Sequence, residues 1–117
     1  MAKKILVIDD DPIIVKYLQT LFNDNGYETI VAYDGTEGES LVEETMPDLI
    51  TLDLEMPKEW GPRFYRKMRK NDALKDIPVI VISGLSNPKH AIKDAVAVIR
   101  KPFDEEKVLE IVKGVIG

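Results

Sequence analysis

Residues 48–53 read Asp-Leu-Ile-Thr-Leu-Asp, a short apolar run with an acidic residue at each end. Consecutive apolar and β-branched positions without alternation are typical of a strand in a parallel sheet that is covered on both faces. The Met56-Pro57 pair follows shortly after Asp53 and predicts a turn. The run therefore predicts a buried strand that carries one carboxylate to the edge of a sheet.

Similar apolar runs recur along the chain and alternate with segments of helical period. The predicted strands are 5–8, 29–32, 49–52, 79–82 and 96–99. Helices are predicted from Pro12 to Gly26, from Gly35 to Met46, from Trp60 to about Asn71, and from Asp104 onward. The pattern predicts an α/β fold with five parallel strands and helices on both faces.

Length and composition narrow the class of protein. The 117 residues, 1–117, are expected to form one domain, and the 44% hydrophobic and 32% charged composition is that of an ordinary globular protein. Absence of cysteine fits the reducing cytoplasm, and no apolar run approaches the ~18 residues of a membrane span. The net charge of −5 argues against binding along a nucleic-acid backbone, so neither membrane nor nucleic acid is expected as a partner.

Four groups with potential chemistry stand at predicted strand ends. Asp9-Asp10-Asp11 follows the first strand, Asp53 the third and Ser83 the fourth, while Lys101 precedes Pro102 after the fifth. Open α/β sheets place their functional crevice at the carboxyl ends of the strands. Each residue alone is more typical of a helix cap, a turn or the surface. Their coincidence at four strand ends favours a functional site.

Three carboxylates, those of Asp9, Asp10 and Asp53, would share a small volume at this edge. Two carboxylates about 4 Å apart repel by about 4 kcal/mol at an effective dielectric constant near 20. Oxygen ligands in such a site suit Mg²⁺, and Lys101 would add a second positive charge. With a phosphoryl donor present, one Asp oxygen could attack in line while Ser83 hydrogen-bonds a phosphoryl oxygen.

Several motifs resemble the receiver domain of two-component response regulators, in particular single-domain receivers like the chemotaxis regulator. They are Ile5–Pro12, Asp53–Pro57 with Gly61, Ser83-Gly84 and Lys101-Pro102-Phe103. The resemblance implies a flavodoxin-like, doubly wound (βα)5 fold with strand order 2-1-3-4-5. It also implies that a histidine kinase or histidine phosphotransfer protein donates a phosphoryl group, which then switches partner binding.

The resemblance further implies a role for each matching residue. The chain would catalyse only its own phosphorylation and dephosphorylation, with Mg²⁺ as cofactor, and would not be an enzyme acting on a separate substrate. The implied roles are Asp53 as phosphoacceptor, Asp10 as a direct metal ligand, Asp9 as a ligand largely through water, the Glu55 backbone carbonyl as a further ligand, and Ser83 and Lys101 as the hydroxyl and lysine positions.

The chain departs from the family pattern between Ser83 and Lys101. These residues are 18 positions apart, fewer than is usual, which predicts a shortened or irregular fourth helix over 87–94. Val98 stands where the family often has an aromatic switch residue, and the Gly-Ala pair that often precedes the last strand is absent. The face through which many receivers signal is therefore expected to differ here.

Two surfaces are candidates for contact with partners. An apolar patch near Asp53 is expected to receive the kinase or phosphotransfer protein, and its residues are Ile13, Ile14, Tyr17, Pro102 and Phe103. Four basic residues share one face of the third helix: Arg63, Arg66, Lys67 and Lys70. We interpret that basic face as a solvated surface, with contact to an acidic partner as the alternative.

Two other functions use the same residue types. One is a receiver-like interaction module in which the acidic pocket is idle. The other is a Mg²⁺-dependent phosphohydrolase with an aspartyl nucleophile. The second fits less well, because Asp9-Asp10-Asp11-Pro12-Ile13 differs from the motif of such enzymes and the chain has no spare length for a substrate cap.

Overall fold

The computed structural model of the protein describes residues 2–57, 60–84 and 95–117. The secondary structure in these ranges follows the predicted order, whereas the predicted weak helix 87–94 lies outside the described residues. The elements are β1 (Lys4–Ile8), α1 (Pro12–Asp24), β2 (Glu28–Ala32), α2 (Gly35–Thr45), β3 (Leu49–Leu52), α3 (Trp60–Arg69), β4 (Val79–Ser83), β5 (Ala97–Arg100) and α4 (Glu105–Ile116).

The strands form one parallel sheet in the order β2-β1-β3-β4-β5. Strand β1 is an interior strand that pairs with β2 on one side and with β3 on the other. Chain order reverses direction between β1 and β3, and such switch points are where open sheets hold their ligands. The expected order 2-1-3-4-5 is confirmed.

The sheet separates two hydrophobic cores. On one face, Val42 of α2 and Phe64 and Met68 of α3 pack on the sheet. On the other face, Val15 and Leu18 of α1 pack with residues of α4. Both faces of the central strands are therefore dry, which explains their unbroken apolar sequences. No helix in the described ranges is long and apolar enough to cross a membrane.

Helix α1 begins at Pro12 as predicted and ends at Asp24, two residues before Gly26, and its buried face differs in part from the expected one. Asp11 caps the helix by accepting a hydrogen bond from the Ile13 N–H at 2.9 Å, and Gly26 follows the helix with φ of 87°. Helical spacing in the sequence predicts that Ile14, Leu18 and Leu21 face inward. Leu18 and Leu21 are buried as expected, whereas Ile14 is only half-buried, and Val15 and Phe22 complete the buried stripe.

Two predicted boundaries also shift. Strand β5 begins at Ala97, because Ala97 pairs with Ile80 while Val96 is 49% exposed. Helix α3 ends at Arg69 and not near Asn71, because the next main-chain N–H groups donate to carbonyls three residues back, as in a 3₁₀ turn, and not four. The N–H of Asn71, for example, donates to the carbonyl three residues back, at 3.1 Å.

We expect Thr51→Val to stabilise the protein. The Thr51 side chain is 1% exposed, and within the described part of the chain its hydroxyl oxygen has no hydrogen-bond partner. Replacing an unpaired buried hydroxyl by a methyl group of similar shape should raise the free energy of unfolding by about 1 kcal/mol, measured by urea denaturation. Thr29→Val is the control, since the Thr29 hydroxyl donates to Asn23 at 2.9 Å and its loss should not stabilise. A less stable Thr51→Val would show that a buried water satisfies the hydroxyl.

Candidate functional site

Main-chain hydrogen bonds carry the sheet one residue beyond β1 and β3 and fix two aspartates at its carboxyl edge. The N–H of Asp9 donates to the Ala32 carbonyl at 3.1 Å, and the N–H of Asp53 donates to the Ile8 carbonyl at 3.0 Å. Asp9 and Asp53 therefore stand on adjacent strands at the switch point. The backbone sets their positions before any side chain interacts.

The same device positions the lysine. The N–H of Lys101 donates to the carbonyl of Ser83 at 3.0 Å, which extends the pairing of β4 with β5. Ser83 is the last residue of β4 and is fully buried. The peptide bond between Lys101 and Pro102 is cis. Both residues of the predicted hydroxyl and lysine pair thus lie at the carboxyl edge.

Three carboxylates converge at this edge. One oxygen each from Asp9, Asp10 and Asp53 lies within 4.8 Å of the other two. Asp9 and Asp53 are each 2% exposed, whereas Asp10 is exposed to solvent. The cluster therefore has a buried floor of two carboxylates and an open side through which a solvated ion or a phosphoryl donor could enter.

Lys101 reaches into the cluster and contacts both buried carboxylates. Its Nζ donates to Asp9 Oδ2 at 2.9 Å and lies 3.5 Å from Asp53 Oδ1. The closer partner is Asp9, a detail that the sequence did not reveal. One ammonium group shared by two buried carboxylates leaves excess negative charge, before Asp10 is considered.

Neighbouring main-chain N–H groups fix the orientation of the two buried carboxylates. The N–H of Asp11 donates to Asp9 Oδ1 at 2.9 Å, and the N–H of Glu55 donates to Asp53 Oδ1 at 3.2 Å. The second bond also places the main chain of Glu55 at the site.

The pKa values of the cluster show the effect of burying like charges close together. Burial raises the pKa of Asp53 to about 6, and the neighbouring Asp9 charge adds to the rise. Burial likewise raises the pKa of Asp9, although the Asp11 N–H and Lys101 oppose it. Burial opposes the charge on Lys101, but the hydrogen bond to Asp9 and the attraction of both carboxylates leave the pKa of Lys101 raised. The site therefore needs more positive charge than its lysine supplies.

This donor set fits a hard divalent cation. All three groups that converge are carboxylates, the ligand type that Mg²⁺ prefers, and the exposed Asp10 leaves room for the waters that Mg²⁺ retains. A cation between Asp9 and Asp53 would relieve the repulsion that raises their pKa values. The residues that would hold it are Asp9, Asp10 and Asp53.

Two glycines admit close contacts around Asp53. A Cβ on Gly61 would lie 2.5 Å from the Asp53 carbonyl oxygen and 2.8 Å from Leu54 Cα, so only glycine fits there. A Cβ on Gly84 would lie 3.0 Å from both carboxylate oxygens of Glu55. The Glu55 side chain thus extends over the main chain after Ser83. Sequence reasoning included both glycines in the motifs but did not show these contacts.

Comparison with known proteins identifies the family. Residues 5–113 match the family model described as the response regulator receiver domain. The chain therefore belongs to the response regulator receiver domain family. Receiver domains are signalling domains that accept a phosphoryl group in two-component systems, bind Mg²⁺ at an acidic pocket and interact with histidine kinases. The family and function expected from the motifs are confirmed.

Individual relatives support the same assignment. Protein Rrf1 of Nitratidesulfovibrio vulgaris is 35% identical over 112 residues, which cover 96% of this chain and 81% of the relative. The receiver domain of the Francisella response regulator 1452 is 32% identical with a TM-score of 0.88, over 97% of this chain and 95% of that one. The chemotaxis response regulator CheY4 of Vibrio cholerae is 28% identical with a TM-score of 0.90, over 99% and 100%.

We expect Asp53→Asn to stabilise the metal-free protein at neutral pH. The pKa of Asp53 is raised from 3.8 to about 6, so protonation of its side chain stabilises the folded state. This stabilisation is complete below pH 3.8 and is lost as the pH rises through about 6. Asn stays neutral at every pH. At pH 7 in EDTA the free energy of unfolding of the variant should therefore exceed that of the native chain by about 2 to 3 kcal/mol.

The measurement is chemical denaturation between about pH 4 and pH 8, where the gap should widen with pH. Added MgCl₂ should stabilise the native chain more than the variant and so narrow the gap. A variant less stable than the native chain at pH 7 in EDTA would contradict the repulsion inferred here.

Proposed function

We propose that Asp53 accepts a phosphoryl group from the phosphohistidine of a histidine kinase or a histidine phosphotransfer protein. The observation that carries this proposal is the convergence of the Asp9, Asp10 and Asp53 carboxylates around the Lys101 ammonium group. Such a cluster costs folding free energy, since two of its carboxylates are buried with raised pKa values. Perturbed groups of this kind in a cleft are typical of functional sites.

The transfer is an in-line displacement. An Asp53 oxygen forms the new bond to phosphorus while the bond between phosphorus and the imidazole nitrogen breaks, and the electron pair returns to the imidazole. The contacts of Asp53 with the Glu55 N–H and with Lys101 Nζ both fall on Oδ1. Oδ2 is therefore the attacking oxygen. The product is an acyl phosphate on the protein.

The remaining residues act on the charge of the transferred group. In this proposal Lys101 moves from the carboxylates to a phosphoryl oxygen, and the Ser83 hydroxyl donates a hydrogen bond to another. Mg²⁺, when bound, neutralises negative charge on the phosphoryl oxygens. It would be held by Asp9, Asp10, Asp53 and the main-chain carbonyl of Glu55. The reaction modifies the protein itself and consumes no separate substrate apart from the phosphoryl donor.

The proposed location is the cytoplasm, because a chain without cysteine fits a reducing compartment.

A receiver-like module with an idle pocket is the alternative that the experiment below must distinguish. Such a module would bind partners without phosphorylation. The buried, lysine-bound pair of Asp9 and Asp53 favours a working site, because an idle pocket gains nothing from its repulsion. The phosphohydrolase alternative finds no support in the family match, which covers residues 5–113 with a signalling domain.

We expect acetyl phosphate with Mg²⁺ to phosphorylate the native chain at Asp53. Intact-protein mass spectrometry should show one added phosphoryl group, which EDTA or Asp53→Asn abolishes. Asp72→Asn is the matched control, because Asp72 is an exposed aspartate outside the site and its loss should leave the adduct unchanged. The lack of an adduct on the native chain would favour the idle-pocket alternative, and an adduct that persists in Asp53→Asn would show that another residue accepts the phosphoryl group.

An apolar groove beside the acidic cluster is the proposed docking surface for the phosphoryl donor. The groove lies between α1 and α4, has a volume of about 700 Å³ and is lined by residues that include Ile13 and Leu109. Ile13 is 77% exposed, which is unusual for an apolar side chain of its size. The rings of Tyr17 and Phe103 pack edge to face at 5.6 Å and join the groove to the loop after Lys101.

We expect Ile13→Asn to slow phosphotransfer from a histidine kinase by about tenfold, the effect of one modest apolar anchor. Phosphorylation by acetyl phosphate should be unchanged, because the acidic cluster is untouched. Met46→Asn is the control, since Met46 is also an exposed apolar residue but lies after α2. Equal loss with both phosphoryl donors would show damage to the site and would remove the docking role of Ile13.

A further inference from the structure

Charge is distributed very unevenly along this chain. Residues 60–71 contain five of its 16 basic residues and none of its 21 acidic ones, although the whole chain carries −5. These five basic residues belong to α3 and the residue that follows it. A compact positive region thus stands on an otherwise acidic protein.

Four of the five basic residues form one stripe. Arg63, Arg66, Lys67 and Lys70 are spaced i, i+3, i+4 and i+7, which places them on a single helical face, and all four are exposed. Together with Glu39 of α2 they line a cleft of about 380 Å³. We call these four residues the basic stripe.

The helix that carries the basic stripe explains it only in part, since Arg66 and Lys67 stand in the last turn, where positive charge favours a helix end. Arg63 and Lys67, like Arg66 and Lys70, are pairs of like charges four residues apart, which disfavour a helix. The first turn of α3 contains no acidic residue. The ion pair between Lys67 and Glu39, at 3.1 Å, leaves the Lys67 side chain 71% exposed, so its contribution to stability is modest.

The fifth basic residue provides a contrast. Arg69 donates to the carbonyl of Lys75 at 2.6 Å, and its guanidinium lies 5.8 Å from the centre of the Tyr65 ring. Arg69 therefore has a structural role in holding the loop after α3. Arg66 and Lys70 lie on a different face of the helix, and within the described residues neither of these two makes a contact of this kind.

A small cleft adjoins the stripe. It lies between α2 and α3, has a volume of about 230 Å³, and shares Glu39 and Lys67 with the basic cleft. Its lining combines the apolar side chains of Phe64, Met68 and Leu74 with polar ones, Glu43 among them. A ligand on this face would therefore meet positive charge along one side and a shallow, partly apolar recess beside it.

We propose that the basic stripe and this recess bind an acidic segment of a partner protein. The fitting segment is a helix with carboxylates at i, i+3, i+4 and i+7 and an apolar side chain directed into the recess. The stripe is about 10 Å long, which matches two turns of such a helix. Arg side chains in particular suit paired contacts with carboxylates.

The acidic remainder of the chain selects a short ligand over a long polyanion. Charges interact over about 8 Å at physiological salt, so a small partner can meet the stripe alone. A DNA duplex or an anionic membrane extends beyond this distance and would also face the rest of the chain, which gives the protein its net charge of −5. Those contacts would offset the attraction.

The location of this surface keeps it separate from the docking groove. Helices α2 and α3 cover one face of the sheet, and α1 and α4 cover the other. A partner on the basic stripe would therefore leave the groove free for a phosphoryl donor. This interaction does not depend on phosphorylation of Asp53, so it stands or falls separately from the proposed transfer.

The test uses a synthetic helical peptide with glutamates at i, i+3, i+4 and i+7 flanked by leucine, titrated into the full chain in EDTA. Amide shifts should map to α3 and the recess, and affinity should fall as salt rises from about 0.05 to 0.15 M. Arg66→Glu/Lys70→Glu should weaken binding at least about tenfold. The control Lys3→Glu/Lys107→Glu, with the same net charge, should bind as the native chain does.

Several results would overturn the proposal: no binding, shifts outside α3 and the recess, or equal loss in the control. The proposal would also be overturned if phosphatidylserine vesicles or duplex DNA bound more tightly than the peptide, or if sedimentation showed self-association that depends on the stripe. Either result would show that the stripe binds a different ligand. Both variants must still unfold cooperatively in urea and keep the native dispersion of amide shifts, which shows that they fold. If Arg66→Glu/Lys70→Glu fails this check, Arg66→Gln/Lys70→Gln is used and the same loss is required.

Discussion

Repulsion between two carboxylates that are almost wholly removed from water is the constraint on which this structure depends. Asp9 and Asp53 are held on neighbouring strands by the pairing of β1 with β3, so neither can withdraw without breaking main-chain hydrogen bonds. Lys101 supplies one positive charge to both. The backbone is therefore fixed where the negative charges repel each other most strongly. A bound cation or a transferred phosphoryl group would meet a site whose geometry is already formed.

The overall architecture was predictable because burial on both faces leaves a direct mark on the sequence. Runs such as 49–52 cannot be amphipathic when helices cover each side of the sheet. The errors arose where apolar character and burial separate. Ile14 and Val15 are adjacent apolar residues, and only packing against the sheet decides that Val15 is buried. Val96 likewise continues an apolar run while remaining half exposed.

The convergence of the acidic residues was also predictable, since carboxyl ends of parallel strands meet at one edge of a sheet. The contacts within the cluster were not. That Lys101 lies closer to Asp9 than to Asp53 depends on the reach of one flexible side chain across three strands. That Glu55 extends over Gly84 depends on the path of two loops. Such details follow from distances in space, which residue spacing does not encode.

The contact between Gly61 and Asp53 has a mechanical consequence. The first turn of α3 approaches the Asp53 carbonyl so closely that not even a methyl group fits between them. Hard-sphere contact transmits displacement without slack, so a shift of the backbone at Asp53 must push the amino end of α3. A displacement at Asp53 would therefore reach the far end of α3, which carries basic residues of the stripe.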